Sequence, residues 1–367
     1  MMKVGMVGVG CISGIYLKNF KETFKDVQLV AVCDLIRERA EKAQKEYNIP
    51  KIYDTMEELF ADPEIDMVLN LTRPYQHYEV SKAALEAGKH VYSEKPLGAD
   101  WEEGTALVKL AQEKGLWIGG APDTFMGAGI QTCRKLIDEG IIGEVIGGRC
   151  VMATHGVESW HPDPDFYYQR GGGPVLDMGP YYITALINLL GGIKRVYATS
   201  RTTFSERLIT AKPHVGEIIK VNVPTHYETL ITFESGVTIS FLTTFDLYNT
   251  NQANIQLYGT KGNLYVPDPN CFGSEKGMKL LDGSTGEMKE LPLEFDYGVN
   301  SRCLGLDDLA AAIEQGRPPR TSYKQTYHVL EAMTGIMKSA ETGMPYEMTT
   351  KFTREAPMDP TLPHGYL

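Results

Sequence analysis

The chain has 367 residues, 43% hydrophobic and 23% charged, which is enough for two domains with their own cores. Its formal net charge is −11 and no basic stretch offsets it, which argues against nucleic acid or an acidic membrane surface as a partner. The six cysteines are scattered and contain no C-x-x-C pair, so they read as reduced thiols of a cytoplasmic protein and not as a disulfide framework or a zinc site.

The opening residues, MMKVGMVGVG, read as a buried strand running into a glycine turn, which leaves no room for the regions of a signal peptide. Strands are predicted at 3–7, 28–33, 66–71, 90–93 and 116–119, and helices at 13–24, 36–47, 75–86 and 101–114. This alternation predicts βαβ units and an α/β domain with a doubly wound parallel sheet over residues 1–121. Right-handed crossovers then place the strand C-termini along one edge, where ligands bind.

Beyond residue 121 the rhythm changes. A helix at 130–139 and a strand at 144–153 lead into THGVESWHPDPDFYYQRGGG, a loop crowded with aromatic and polar groups. A helix at 177–190 follows, then alternating strands at 196–203, 227–233, 237–245, 254–258 and 263–266, with ESG at 234–236 as a hairpin turn. Helices at 303–314 and 323–341 close the chain, and the tail MDPTLPHGYL reads as an irregular packed arm. These elements predict a second, α+β domain over 122–367, with a mostly antiparallel sheet packed on helices. The most apolar run, YYITALINLL, is too short to span a bilayer.

The turn after the first strand is GVGCIS. Gly8 permits a tight turn. Gly10 lets the backbone approach a pyrophosphate, which would rest on the amides of Gly8, Gly10, Cys11 and Ile12 at the helix start. Ser13 stands where a third glycine is common, and is small enough for close helix–strand packing. Asp34 ends the next strand, 21 residues beyond Ser13, where a carboxylate accepts hydrogen bonds from ribose hydroxyls and repels a 2′-phosphate. The expected cofactor is therefore NAD rather than NADP, although Arg37 and Arg39 lie near enough to soften the preference. The competing reading of Asp34 is a plain helix cap.

With GVGCIS, the segments AGKHVYSEKPLG at 87–98 and GGGPVLDMGPYY at 171–182 make the chain resemble the Gfo/Idh/MocA oxidoreductases over nearly its whole length. The Glu-Lys-Pro element is the most specific of the three. The resemblance implies a Rossmann domain followed by an α/β domain with an open antiparallel sheet, hydride transfer between a nicotinamide and a sugar or polyol carbinol, and a homo-oligomer built through that sheet. It implies that Lys95 is the active-site lysine, that Glu94 lies against the cofactor's ribose, that Thr72 lines the nicotinamide half, and that His77, matching a common family histidine in the loop after the 66–71 strand, belongs to the cofactor site. It also matches Asp177 to the aspartate of a D-x-G-x-H pattern, but Tyr181 stands where that pattern has histidine.

Oxidation of a carbinol needs the C–H aimed at the nicotinamide, a group to take the hydroxyl proton and positive charge near the developing alkoxide. Lys95, made less prone to carry a proton by burial beside a cationic ring, is expected to form an acid/base unit with Tyr181, while Asp177, four residues earlier on the same helix face, orients substrate hydroxyls. His155 is the alternative base. His155, Trp160, His161, Tyr168 and Arg170 in the preceding loop form a set suited to a polyhydroxylated ligand. No metal is expected, because His155, Glu158 and His161 match no ligand spacing. The leading expectation is an NAD(P)-dependent dehydrogenase of a sugar, inositol or glycoside, with glycoside 3-dehydrogenation its sharpest form. Its competitors are an NAD-dependent glycosidase that recycles its cofactor and a non-enzymatic NAD-binding sensor.

Overall fold

The structure is a computed structural model and describes residues 1–248, 254–274 and 278–367. The residues gather into two compact units. The first comprises Met1–Gln131, Glu294–Leu330 and Glu355–Leu367, and the second Thr132–Leu293 and Glu331–Arg354.

In chain order the first segment holds β1 (Met2–Val7), α1 (Ser13–Glu22), β2 (Val27–Cys33), α2 (Arg37–Tyr47), β3 (Lys51–Tyr53), α3 (Met56–Ala61), β4 (Met67–Asn70), α4 (His77–Glu86), β5 (His90–Ser93), α5 (Trp101–Lys114) and β6 (Ile118–Gly120). The strands form one sheet in the order β3-β2-β1-β4-β5-β6, parallel throughout. Strand order reverses between β1 and β4, the switch point where such sheets open a crevice at the strand C-termini. The central strands are apolar on both faces, and Val4, Met6, Val32, Met67, Leu69 and Val91 are buried. α5 starts where Asp100 accepts the Glu103 amide (3.0 Å) and the Glu103 carboxylate accepts the Ala99 amide (2.8 Å), a reciprocal cap just after the Glu-Lys-Pro loop. The arm at the end of the chain returns to this unit: Lys25 N–H donates to the Gly365 carbonyl (3.1 Å), and Gly365 N–H to the Tyr297 hydroxyl (3.0 Å).

The chain continues through α6 (Ala128–Asp138), β7 (Val145–Ala153), α7 (Pro174–Leu190), β8 (Ile193–Arg201), β9 (Glu206–Leu208), β10 (Ile218–Lys220), β11 (His226–Phe233), β12 (Thr238–Thr244), β13 (Ile255–Gly259), β14 (Gly262–Val266), β15 (Met278–Asp282), β16 (Met288–Leu291), α8 (Leu304–Gln315), α9 (Tyr323–Thr342) and β17 (Tyr346–Glu347). Nine strands form a mixed sheet in the order β16-β15-β14-β13-β7-β12-β11-β8-β17, antiparallel except where β12 runs parallel to β7. β9 and β10 form a separate antiparallel hairpin. β11 and β12 meet through the Glu234–Gly236 turn, closed by the Phe233 amide on the Val237 carbonyl (2.8 Å).

The helix expected at 177–190 starts a turn earlier, because Pro174 occupies the first helical position, where its missing N–H costs nothing. β3, α3, β9, β10 and β15–β17 were not anticipated. They are short, and elements of two to six residues carry too little periodicity to stand out. Among the described residues no helix is long and apolar enough to cross a membrane.

Candidate active site

At the carboxyl edge of the parallel sheet, the β1–α1 turn is shaped by Gly8. Its φ is +97°, and a β-carbon there would lie 2.8 Å from the Leu71 carbonyl carbon and oxygen at the end of β4. Only glycine allows that backbone approach. At Gly10 a β-carbon would meet nothing within 4 Å, so the exposed tip of the turn, Gly10 and Cys11, faces open space. Ser13 is buried and bonds the turn to the helix, its hydroxyl donating to the Gly10 carbonyl (2.8 Å). No side chain caps the start of α1. Half-buried Asp34 accepts the Val9 amide (2.6 Å) with one oxygen and the Ile36 amide (2.8 Å) with the other. The turn, the uncapped helix and the carboxylate at the end of β2 fit a dinucleotide: amides for phosphate oxygens, and a carboxylate with lone pairs left for ribose hydroxyls. Arg37 is tied to Glu41 (2.9 Å) and Asp54, so its charge is locally balanced.

The loop after β5 is braced from three sides. Glu94 accepts the Tyr16 hydroxyl from α1 (2.8 Å) and, through its other oxygen, the Lys95 amide (3.2 Å). The Glu94 amide donates to the Asn70 carbonyl of β4 (2.9 Å). The Lys95–Pro96 peptide is cis. His77, only 1% exposed, sits between the Pro96 carbonyl (2.8 Å from Nδ1) and the Thr72 carbonyl (3.1 Å from Nε2). Burial holds its pKa below the usual imidazole value and outweighs the two carbonyls, which favour the cation. A neutral ring has one N–H, so one carbonyl receives a hydrogen bond and the other a close approach. Buried Asn70 completes the brace. It accepts the Thr72 hydroxyl (2.6 Å) and amide (3.2 Å) and donates to the His77 carbonyl (3.1 Å) and Ser81 hydroxyl (3.0 Å).

Thus Gly8, Gly10, Cys11, Ile12, Asp34, Thr72, Glu94 and Lys95 stand on turns at one edge of one sheet, while His77 lies beneath them as a strut between two loops. Tyr16 and Asn70, which sequence reasoning missed, hold those loops. Nothing local marks them, since their partners are 78 residues away for Tyr16 and within a turn for Asn70. Tyr16 is fully buried, and burial together with the Glu94 carboxylate raises its phenol pKa well above the ordinary value.

In the second unit, Asp177 lies in the first turn of α7, half-buried, and Tyr181 is 8% exposed one turn on. The 154–173 loop separates into buried and exposed members. Tyr168 is fully buried, its hydroxyl bonded to Glu158, and Trp160 is exposed against the edge of His161. His161 accepts the Asp163 amide (3.0 Å), and Arg170 is exposed. His155 stacks on Tyr248 at 3.7 Å between ring centroids, and its Nδ1 is buried with no hydrogen-bond partner among the described residues. Glu158 also accepts Arg207 Nη1 (3.0 Å), and Arg207 in turn donates to Asp246 and to the Phe245 carbonyl (2.9 Å). Asp246 accepts the Thr225 hydroxyl (2.8 Å). Arg207 and Asp246 carry no sequence signal, because their partners in this network lie 21 to 49 residues away. Among the described residues no cluster of three or more His, Cys, Asp or Glu is arranged to hold a metal ion.

Residues 2–119 match the model of the oxidoreductase family with an NAD-binding Rossmann fold, and residues 130–265 the model of the GFO/IDH/MocA C-terminal domain. The chain is 28% identical over 295 residues to trans-1,2-dihydrobenzene-1,2-diol dehydrogenase of Bos taurus, covering 80% of each chain. It is 25% identical over 347 residues to D-xylose 1-dehydrogenase (NADP(+)) 2 of Haloferax volcanii, covering 94% of this chain and 98% of that one. Levoglucosan dehydrogenase in complex with NADH and levoglucosan shares the fold, with a TM-score of 0.80 and 21% identity over 95% of this chain and 100% of that one.

Proposed function

The chain belongs to the Gfo/Idh/MocA oxidoreductases, NAD(P)-binding enzymes with a Rossmann domain, and from that premise we propose that it is an NAD-dependent dehydrogenase of a secondary alcohol on a neutral sugar, inositol or glycoside. The observation that carries the proposal is the braced Glu94-Lys95-Pro96 loop, held by Tyr16, Asn70 and His77 at the sheet edge that also carries the glycine turn. Glycoside 3-dehydrogenation is the finer form of this reading. The relatives bear the names of dehydrogenases, which favours it over a glycosidase or a sensor.

The amides of Gly10, Cys11 and Ile12 would hold the pyrophosphate, those of Gly8 and Val9 being taken by the Cys33 carbonyl and Asp34, while Asp34 would hold ribose hydroxyls, Glu94 the cofactor's ribose and Thr72 the nicotinamide half. When bound, the nicotinamide supplies the hydride acceptor. Lys95 contributes a donor to the carbinol oxygen and stabilises the negative charge that grows there as the proton leaves. On the second unit, Asp177 would orient hydroxyls through its carboxylate, and the Tyr181 hydroxyl would relay the carbinol proton, accepting it as its own passes to water, with His155 the alternative acceptor. Asp34 favours NAD, because a 2′-phosphate would meet its carboxylate while Arg37 is balanced by Glu41 and Asp54. A homo-oligomer is proposed through the outer face of the nine-stranded sheet, where Tyr197 and Leu230 are paired in register and exposed.

The test follows absorbance at 340 nm with NAD or NADP and a panel of sugars, inositols and glycosides. NADH formation with one substrate class supports the reading. Release of free sugar from a glycoside without net NADH would replace it with the glycosidase.

A further inference from the structure

The second unit contains an open groove of about 430 Å³, lined by His155, Glu158, Phe204, Arg207, Leu208 and Thr210 among others, which shares with the proposed catalytic set only His155. That volume is within the roughly 300–1,000 Å³ of small-molecule sites. Its apolar surface comes from Phe204, 39% exposed, and Leu208, 55% exposed, beside the stacked His155–Tyr248 pair. Its polar floor is the buried Glu158–Arg207 pair, with Arg207 held in turn by Asp246. Two lining side chains hold buried atoms with no hydrogen-bond partner among the described residues, His155 Nδ1 and Arg207 Nε, although Arg207 is only 5% exposed. Both atoms lie beneath the groove surface, out of a ligand's direct reach, and the Arg207 guanidinium packs against the Phe204 ring.

Three constraints define the ligand. It must present a flat apolar face to rings, as a sugar does. It must carry hydrogen-bond donors, since the lining offers the carboxylates of Glu158 and Glu206. It must not be anionic, because the two lining carboxylates, Glu158 and Glu206, outnumber the one guanidinium of Arg207. A neutral pyranose or furanose ring meets all three. The groove wall also belongs to the framework that leads into α7. Gln169 Nε2 donates to the Lys220 carbonyl (3.1 Å), Asn222 N–H to the Tyr168 carbonyl (2.9 Å), and Gly173 N–H to the Tyr167 carbonyl (2.7 Å), just before the helix that carries Asp177.

Resting on the carbohydrate reading above, we propose that this groove is a second ring-binding subsite for a neutral sugar joined to the ring that is oxidised. The substrate is then a disaccharide or sugar glycoside, and Phe204 with Glu206 sets the preference. The test is calorimetric titration of NADH-loaded protein, which cannot oxidise the sugar, with glucose, xylose, cellobiose, maltose and xylobiose. At least one disaccharide is expected to bind about tenfold or more tightly than its own monosaccharide, and Phe204→Ala to bring that ratio near one. Disaccharides that bind no more tightly than monosaccharides, no binding of either, or a ratio unchanged in Phe204→Ala would overturn the subsite. Turnover is scored separately by NADH formation from NAD. A protein that binds disaccharides in this pattern yet makes no NADH keeps the subsite and loses the dehydrogenase reading.

Discussion

Lys95 and His77 belong to the same brace: the His77 ring meets the carbonyl of Pro96, the residue after Lys95, and the Lys95 amide meets Glu94. Removing the ammonium by Lys95→Ala should lower kcat by about 10²–10⁴ with the melting temperature nearly unchanged, because the brace uses the Lys95 backbone. Kinetics paired with thermal melting check this. His77 behaves differently. Its pKa is held below the ordinary value of 6.5, so the folded state resists protonation while the unfolded chain accepts it. Stability from this group is therefore whole above about 6.5 and declines as pH falls through it. His77→Asn should lose stability at neutral pH, and its gap from the wild type should narrow by pH 5; denaturant titrations at both values measure it. Asp34→Asn removes the charge and keeps an acceptor for one of the Val9 and Ile36 amides, its amide nitrogen being a donor. The KM for NADP should then fall about tenfold relative to that for NAD, since the lost repulsion is a single screened charge pair. Equal changes in both would mean that Asp34 only shapes the turn.

At the scale of elements, the β9–β10 hairpin, the 154–173 loop and the end of β12 are joined by one guanidinium. Arg207 reaches Glu158, the Phe245 carbonyl and Asp246, while Tyr168 and Thr225 take the remaining carboxylate oxygens. Arg207→Met leaves two buried carboxylates without their cation, which should cost about 3–5 kcal/mol, and adding Glu158→Gln with Asp246→Asn should recover part of it. Chemical denaturation of the single and triple variants decides this, and equal losses would contradict the charge-pairing account. This network also shows where sequence reading ends. The β1 turn and Asp34 were legible because glycine spacing, strand pattern and the acid lie within one βαβ unit. The Glu-Lys-Pro loop was legible as a family mark, but its Tyr16 and Asn70 supports were not, since tyrosine in a helix and asparagine at a strand end have many uses. Arg207 in ERL reads as a surface charge, and only the fold reveals its burial.

Across the whole molecule, the two-unit plan followed from element order, whereas the return of 294–330 and 355–367 to the first unit did not, because helix periodicity says which face is buried and not against what. That return buries Asp307 of α8. Burial, with Asp26 close by, pushes its pKa up to about 8, and one oxygen has no hydrogen-bond partner among the described residues. A raised carboxyl pKa gives stability that is complete below about 3.8 and is lost as pH rises toward 8. Asp307→Asn should therefore raise stability little at pH 4 and by roughly 1–3 kcal/mol at pH 8, read from melting curves at both values.

The central claim, a dehydrogenase whose chemistry runs through Lys95, is tested most directly by NADH formation at 340 nm from NAD and neutral sugars, inositols and glycosides, with wild type and Lys95→Ala side by side. The account predicts NADH from one neutral carbohydrate class and a loss of about 10²–10⁴ in kcat for the variant. NAD bound by the wild type with no NADH from any substrate, or a Lys95→Ala variant that turns over as fast as the wild type, would contradict it.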